Sequence, residues 1–389
     1  GASTEKEMRI ANVVLNDFTR DNRVLKISAT LATEGHDVTV VALHKPGLPK
    51  RERHQDLFDV HRICLVMPTR VFRGTLKLAE LAIKIALGYR RFEAWHCNDA
   101  EAFVIGLLAK ITRPSLRLIY DCHEFESERN GKGRRYLRAV GWLERRFIRF
   151  ADEVIVVSPS IAAAYLERYQ PHGLGEVQLL RNVPHKIDAD TAKVTAPGEG
   201  KLRQSLGLGS DDFIALYQGA FTINRGIEEL LAMSGKLQGS RIQLVFMGYG
   251  MLQGSIEEAA ASSENVHFQP AVPYQEMLQY TKDADVGLVS VRPICLSYLY
   301  CLPNKLFECI QAGVPVLVND LPDCVALLRT YGIGRVVEGD EPQAWLEALM
   351  AMAGEKPSFK AQVQDGLARA QSQLNWEREQ HVLIDVYGR

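Results

Sequence analysis

Six polar clusters stand directly behind apolar, strand-length runs: NDFTRD at 16–21, HCND at 96–99, DCHE at 121–124, RN at 181–182, GAFTINRG at 219–226 and PNKLFE at 303–308. Ligands of open parallel sheets bind at the carboxyl ends of strands, so chemistry is expected from these positions. Gly219 to Gly226 falls between a strand and a helix, where exposed backbone N–H groups and the helix dipole favour a phosphate. Arg225 adds the charge-assisted donor that a diphosphate needs, although a strand-to-helix glycine turn also serves purely structural ends. Glu308, near the start of a helix in NKLFECIQAGVPVLV, can accept from two vicinal ribose hydroxyls or merely answer the helix dipole. Lys305, one turn earlier, projects on the same side, to meet a phosphate or to form a surface ion pair with Glu308. His123 stands between Asp121 and Glu124 behind LRLIYDC and is expected in a ligand cleft. Asp99, behind WHC, reads at least as well as the N-cap of a helix over 100–111.

The elements that carry these clusters alternate as βαβ units do. Strands are predicted at 9–15, 37–43, 60–66, 94–97, 116–121, 153–158 and 176–181, with helical periodicity at 23–35, 75–91, 100–111, 133–151 and 160–169. From Pro184 to Gly200 the periodicity stops and Pro, Gly and small polar residues collect, as in a linker. Strands restart at 213–219, 242–248, 266–269, 286–291, 314–319 and 333–338. With 389 residues, too many for one core, the chain divides into a Rossmann-like domain over 1–185, a linker over 186–200 and a second Rossmann-like domain over 201–375. A last helix, 376–389, offers Trp376, Val382, Leu383 and Val386 for burial and is expected to pack back on the first domain.

The formal charge of −1 conceals a split: residues 1–190 carry 30 Lys and Arg against 24 Asp and Glu, a net of +6, and the remainder carries −7. An anionic partner for the first half is implied. Much of the positive charge lies in 129–149, where Arg129, Lys132, Arg134, Arg135, Arg138, Arg145, Arg146 and Arg149 face a single Glu among Tyr136, Leu137, Val140, Trp142 and Phe147. Such a helix either rests on an anionic membrane surface or is a plain solvated face. Residues 70–91, with Arg70, Arg73, Lys77, Lys84, Arg90 and Arg91, extend it, and no nucleic-acid module accompanies these charges. The seven cysteines form no CxxC pair and no zinc spacing, which predicts reduced thiols and a cytoplasmic setting. No apolar run is long enough to span a membrane, the N-terminus lacks signal-peptide order, and GASTEKE reads as a tag remnant or frayed end.

These segments together resemble family 4 of the retaining glycosyltransferases. The likeness rests on DNRVLKISATLATEGHDVTVVAL, DEVIVVSPSIAAAYLERY followed by LLRNVP, YQGAFTINRGIEELL, VFMGYG, VHFQPAVPYQEMLQYTKDADVGLVSV and NKLFECIQAGVPVLV. It implies an α/β chain of the GT-B fold, two doubly wound Rossmann-like domains facing across a cleft. It also implies transfer of a sugar from a nucleotide-sugar, UDP-linked by family frequency, with retention and without a metal or other cofactor. Carried over by position, Arg225 matches the diphosphate-binding basic residue, Glu308 the ribose-binding glutamate and His123 the cleft histidine near the donor's 6-hydroxyl. Pro270 to Val272 matches the loop at the nucleobase, and Asn16 and Asp17 fall in the loop beside the donor phosphates. Catalysis is then electrostatic, Arg225 and Lys305 with backbone N–H groups near Gly219 stabilising the leaving diphosphate while the domains close to exclude water.

Departures are visible as well. Tyr300 stands eight positions before Glu308, where the family often has a first glutamate, and Ala220 replaces an arginine that commonly follows the glycine. The NKxFE form resembles a subset of the family in which Lys305 or Asn304 makes up the missing phosphate contact. Asp99 and Glu124 are the candidates for acceptor binding. The implied acceptor is a hydroxyl of a glycan or lipid-linked glycan in bacterial surface polysaccharide synthesis, made by a cytoplasmic enzyme peripheral to the inner face of the membrane. Two alternatives share the architecture: a non-hydrolysing UDP-sugar 2-epimerase, and a degraded glycosyltransferase-like binding subunit. A dehydrogenase is disfavoured, because NDFTRD stands where GxGxxG would follow the first strand.

Overall fold

The computed structural model describes residues 7–66 and 75–389. The chain forms two compact units, one running to Arg181 and returning for Gln380–Arg389, the other covering Asn182–Glu379. Arg70 and Arg73, like most of GASTEKE, lie outside the described residues.

The first unit holds strands β1 (Arg9–Val13), β2 (Asp37–Leu43), β3 (Arg51–His54), β4 (Phe58–Ile63), β5 (Ala94–Asn98), β6 (Arg117–Cys122), β7 (Glu153–Val156) and β8 (Val177–Leu179). Their order is β3-β4-β2-β1-β5-β6-β7-β8. All neighbours are parallel except β3, which turns back on β4. Central runs such as RIANV and AWHCN are buried nearly throughout, as strands covered on both faces require. β3 is absent from the sequence prediction because RERH has no apolar residue; it is a short charged edge, and Arg53 pairs with Asp59 across the hairpin at 3.0 Å. Helices α1 (Asn22–Thr33), α2 (Thr75–Gly88), α3 (Asp99–Thr112), α4 (Arg134–Phe147) and α5 (Pro159–Tyr169) connect the strands. Asp21 caps α1 through Val24 N, and Ser158 caps α5 through Ile161 N.

The second unit contains α6 (Lys201–Leu206), β9 (Phe213–Ala220), α7 (Ile227–Ser234), β10 (Ile242–Tyr249), α8 (Gln253–Ser262), β11 (Val266–Pro270) and α9 (Tyr274–Thr281). It continues with β12 (Val286–Val289), α10 (Leu296–Leu299), α11 (Asn304–Gln311), β13 (Val316–Val318), α12 (Pro322–Tyr331), β14 (Gly334–Val336), α13 (Pro342–Ala353), α14 (Phe359–Gln362) and α15 (Gln364–Gln373). Its sheet, β11-β10-β9-β12-β13-β14, is wholly parallel. Residues 186–200 hold no helix or strand; Lys282 Nζ ties them to this unit by donating to the carbonyls of Thr191 and Lys193 at 3.0 and 3.1 Å. α16 (Trp376–Gly388) serves both units. Trp376 N donates to Pro184 O at 2.8 Å in the second. In the first, Tyr387 OH lies 3.0 Å from His96 Nδ1 and Thr30 Oγ1 donates to Gln380 at 3.1 Å.

In each sheet the strand order reverses beside a central strand, between β1 and β5 and between β9 and β12. Neighbouring loops leave in opposite directions there and open a crevice at the carboxyl edge.

Candidate functional site

At the reversal point of the second unit β9 ends in Gln218, Gly219 and Ala220. Gly219 adopts φ +126°, and a Cβ there would stand 3.7 Å from Lys305 Cε and Nζ, so the lysine head lies beside the turn. Gly226, at φ +83°, leaves no room for a side chain: a Cβ would meet the Ser290 carbonyl oxygen at 2.3 Å. Ser290 Oγ donates to the Arg225 carbonyl at 2.7 Å, which fixes Arg225 between the ends of β9 and β12. The guanidinium lies 4.4 Å from the centre of the Tyr298 ring. α7 opens with Glu228 and Glu229 in its first turn. Those acids already answer its dipole, so the attraction for an anion comes from Arg225 and Lys305 more than from the helix end.

Lys305 and Glu308 lie one turn apart on α11, but not as a surface ion pair. Lys305 Nζ sits 3.6 Å from the ring centre of Tyr217 on β9. Burial, and then the charge of Arg225, push its pKa down to about 7. Glu308 Oε2 accepts from Gln218 Nε2 at 2.6 Å, and Gln218 Oε1 accepts from Thr281 Oγ1 at 2.6 Å. Gln218 escaped the sequence reading, although an amide inside FIALYQG, buried at 2 % exposure, is itself a sign of a positioned polar group. Asn304, exposed at the first position of α11, accepts from Asn182 Nδ2 at 2.9 Å, which joins Asn182 to this cluster. Ala220 closes β9, and its carbonyl accepts from Tyr217 OH at 2.9 Å. Val272 follows β11, two strands from β9, and Tyr300 follows α10; both are half-buried.

The carboxyl edge of the first unit is organised around Asp121, at the end of β6 and without exposed surface. Arg23 from α1 grips its carboxylate at 2.8 and 3.3 Å, and His96 Nε2 lies 2.8 Å away. Burial opposes this charge, but Arg23 and the His96 hydrogen bond outweigh it and hold the carboxyl far below the usual range. His123 Nε2 lies 2.9 Å from Asn98 Oδ1, and Asn98 donates to Asn12 Oδ1 and to the Val13 carbonyl at 2.7 and 2.9 Å. The imidazole is thus fixed at the edge with 21 % of its side chain exposed.

Asp99 is not the N-cap of α3. It is the helix's first residue, at φ +67°, and its Oδ1 accepts from His123 N at 3.2 Å. A non-glycine residue in that region is uncommon and marks a constrained position. Burial works against its charge, but His123, Glu126 and Arg129 lower its pKa overall. Glu126, missed in the sequence, is fully buried, and burial followed by the Asp99 charge pushes its pKa well up. Glu124 pairs with Arg129 Nε at 3.1 Å. Asn16 and Asp17 shape the loop behind β1: Asn16 donates to Asp21 at 2.9 Å, and Asp17 accepts from Thr19 Oγ1 at 2.6 Å, which lowers its pKa.

The basic run also resolves. Arg134, Arg135, Arg138, Arg145, Arg146 and Arg149 are exposed, and Trp142 stands among them at 62 % exposure. Glu144, the one acid, points inward and accepts from Tyr120 and Tyr165 at 2.8 and 2.6 Å and also from Tyr169. On α2, Leu76, Ile83 and Leu87 are exposed on one stripe. Among the described residues no helix is long and apolar enough to cross a membrane.

The chain matches Glycosyltransferase Family 4 over residues 21–177 and Glycosyl transferases group 1 over 212–355, together more than three quarters of its length. A D-inositol 3-phosphate glycosyltransferase of Streptomyces coelicolor is 26 % identical over 259 residues, 63 % of this chain and 52 % of that protein. The chain therefore spans about half the length of the curated relatives it matches. Sucrose-phosphate synthase of Thermosynechococcus elongatus superposes with a TM-score of 0.78 at 19 % identity, covering 98 % of both chains. HepE of Anabaena, solved with UDP and glucose, gives 0.75 at 15 % identity, covering 97 % of this chain and 99 % of that one. At these identities the structural likeness is one of fold.

Proposed function

We propose, from the premise that the chain is a glycosyltransferase of the GT-B type, that it moves a sugar from a UDP-sugar to a glycan or lipid-linked hydroxyl with retention of anomeric configuration. The observation that carries this reading is the grouping of Arg225, Lys305 and a Gln218-held Glu308 at the Gly219 turn. Two cations suit a diphosphate, and one braced carboxylate suits two ribose hydroxyls. Uracil is favoured because a protein of the same fold was solved with UDP; Val272 and the backbone around it would take the base.

The anomeric carbon–oxygen bond breaks as the nucleoside diphosphate leaves. The acceptor hydroxyl attacks on the same face, and its proton passes to the leaving phosphate oxygen. Arg225 and Lys305 stabilise the growing charge, worth about 10²- to 10³-fold per donor in comparable sites. They fill the role a metal ion would otherwise have, so activity should survive EDTA. His123 orients the donor sugar, Asn16 and Asp17 line the phosphate side, and Asp99 with Glu124 receives the acceptor.

A panel of UDP-, GDP- and ADP-sugars in a thermal-shift assay tests the donor site, since a ligand that binds the folded state raises the melting temperature. UDP-sugars should give the largest rise, and Glu308→Ala and Arg225→Ala should abolish it. An unchanged rise in both variants would sink the assignment.

The arginine stripe of α4 with Trp142 in its midst has the composition of a helix resting on anionic lipid. This supports a membrane-bound acceptor and a place in surface polysaccharide synthesis. The protein should float with vesicles containing phosphatidylglycerol at low salt and be released at high salt; failure to float at low salt rules the surface role out.

A further inference from the structure

Cations close to the core of this chain are usually held by oxygen atoms: Arg23 by Asp121 at 2.8 Å, Arg62 by Glu52 at 2.8 Å, Arg203 by Asp285 at 3.1 Å. Arg225 and Lys305 are held differently. Each rests on a tyrosine ring, at 4.4 and 3.6 Å from the centre, and among the described residues neither side chain has a hydrogen-bond acceptor. The rings themselves are anchored. Tyr217 is fully buried in β9 with its hydroxyl bound to the Ala220 carbonyl, and Tyr298 is 8 % exposed in α10.

A ring face attracts a cation through its quadrupole but consumes none of its N–H donors. A carboxylate in the same place would compete with an incoming anion and would have to be displaced. The charge of Arg225 moreover adds to the cost of charging Lys305, and an anion relieves that cost. The other ionisable groups around Lys305 are Glu308, Cys301 and Cys309.

We propose that Tyr217 and Tyr298 are positioning residues for a nucleoside diphosphate: their ring faces seat Lys305 and Arg225 separately at the Gly219 turn, with donors unspent, so that two linked phosphates are preferred over one. The inference rests on the reading of this turn as the donor site and extends it from the cations to what holds them.

Calorimetric titration of the full chain with UDP, UMP and uridine tests it, GDP and ADP being tried where UDP does not bind, each with its own monophosphate and nucleoside. The wild type should favour the diphosphate over the monophosphate by at least about tenfold. Tyr298→Phe, which keeps the ring, should stay within about twofold of wild type. Tyr298→Leu should weaken the diphosphate about 5- to 30-fold, as expected for losing one shielded cation–π contact, while the nucleoside binds unchanged. Tyr217→Phe and Tyr217→Leu repeat the contrast at Lys305 should Tyr298→Leu fail to fold. Leucine variants that bind the diphosphate as tightly as wild type overturn the proposal. So do variants that lose diphosphate and nucleoside in equal proportion, since the rings would then be merely structural. A wild type that binds none of the three diphosphates removes the donor-site reading and this inference with it.

Discussion

The two units treat charge at their carboxyl edges in opposite ways. In the first, Asp121 is answered on the spot by Arg23 and His96, and Asp99 by the His123 N–H, with Arg129 and Glu126 close by. In the second, Arg225 and Lys305 lie on aromatic rings and, among the described residues, neither forms an ion pair with a carboxylate. A network neutralised from within offers fixed hydrogen-bonding groups, the right partners for neutral hydroxyls. A pair of cations seated on rings keeps its N–H donors unspent, which suits a diphosphate. On the proposed function, the first edge would receive sugar and the second phosphate.

The comparison breaks most directly at Arg23. Replacing it with methionine leaves the buried Asp121 carboxylate with only His96, and His123 at 3.9 Å, beside it, and removing one partner of a buried ion pair costs roughly 3–5 kcal/mol. Urea denaturation should show a loss of that order. Next in size, Arg225→Ala should lower the transfer rate about 10²- to 10³-fold in initial-rate assays, with much smaller loss of stability, because no internal partner is abandoned.

A smaller and more pointed effect concerns pH. Lys305 in the unliganded site has its pKa pushed down to about 7 by burial and Arg225, and a bound diphosphate must raise it. Below that pH the lysine is already charged; above it, binding must take up a proton. The nucleotide's own phosphate has titrated by about pH 6, so affinity should fall with rising pH from 7 towards 9, by up to about tenfold per unit. Lys305→Arg, charged throughout, should flatten the profile. A wild-type affinity that stays level over this range would show that burial and Arg225 do not depress the lysine.

Much of this was legible in advance, and what was not has a common cause. Alternating apolar runs located the parallel strands, and the polar clusters placed Arg225 and His123 behind β9 and β6, whereas Lys305 and Glu308 sit on α11, which follows α10 rather than a strand. β3 was missed because a four-residue charged edge carries no hydrophobic period. Gln218, Glu126 and the two tyrosines were missed because their roles are set by what faces them from other strands and helices, and spacing along the chain does not encode that. Of the two readings of Asp99, acceptor contact and N-cap, the N-cap one fails for the same reason. A helix-start aspartate looks like a cap, and only its φ of +67° and its bond from His123 N show it turned to the edge.

The smallest expected effect has the opposite sign to the first. The ordinary lysine pKa of 10.5 applies to the unfolded chain, and in the fold Lys305 falls to about 7. Between those values the unfolded state binds more protons, so stability rises with pH across that window, and at pH 7 and below the full cost of burying the charge is present. Lys305→Met removes the charge and keeps the stem that packs beneath Gly219. The ligand-free variant should therefore be more stable than wild type at pH 6.5, by on the order of 1 kcal/mol. The gain should shrink as pH approaches 10, where the wild-type lysine is neutral in the fold. Melting curves at pH 6.5 and 9.5 measure both. A charge substitution that destabilises the first unit and another that stabilises the second would place the stored electrostatic cost at the phosphate edge, where a diphosphate would release it on binding.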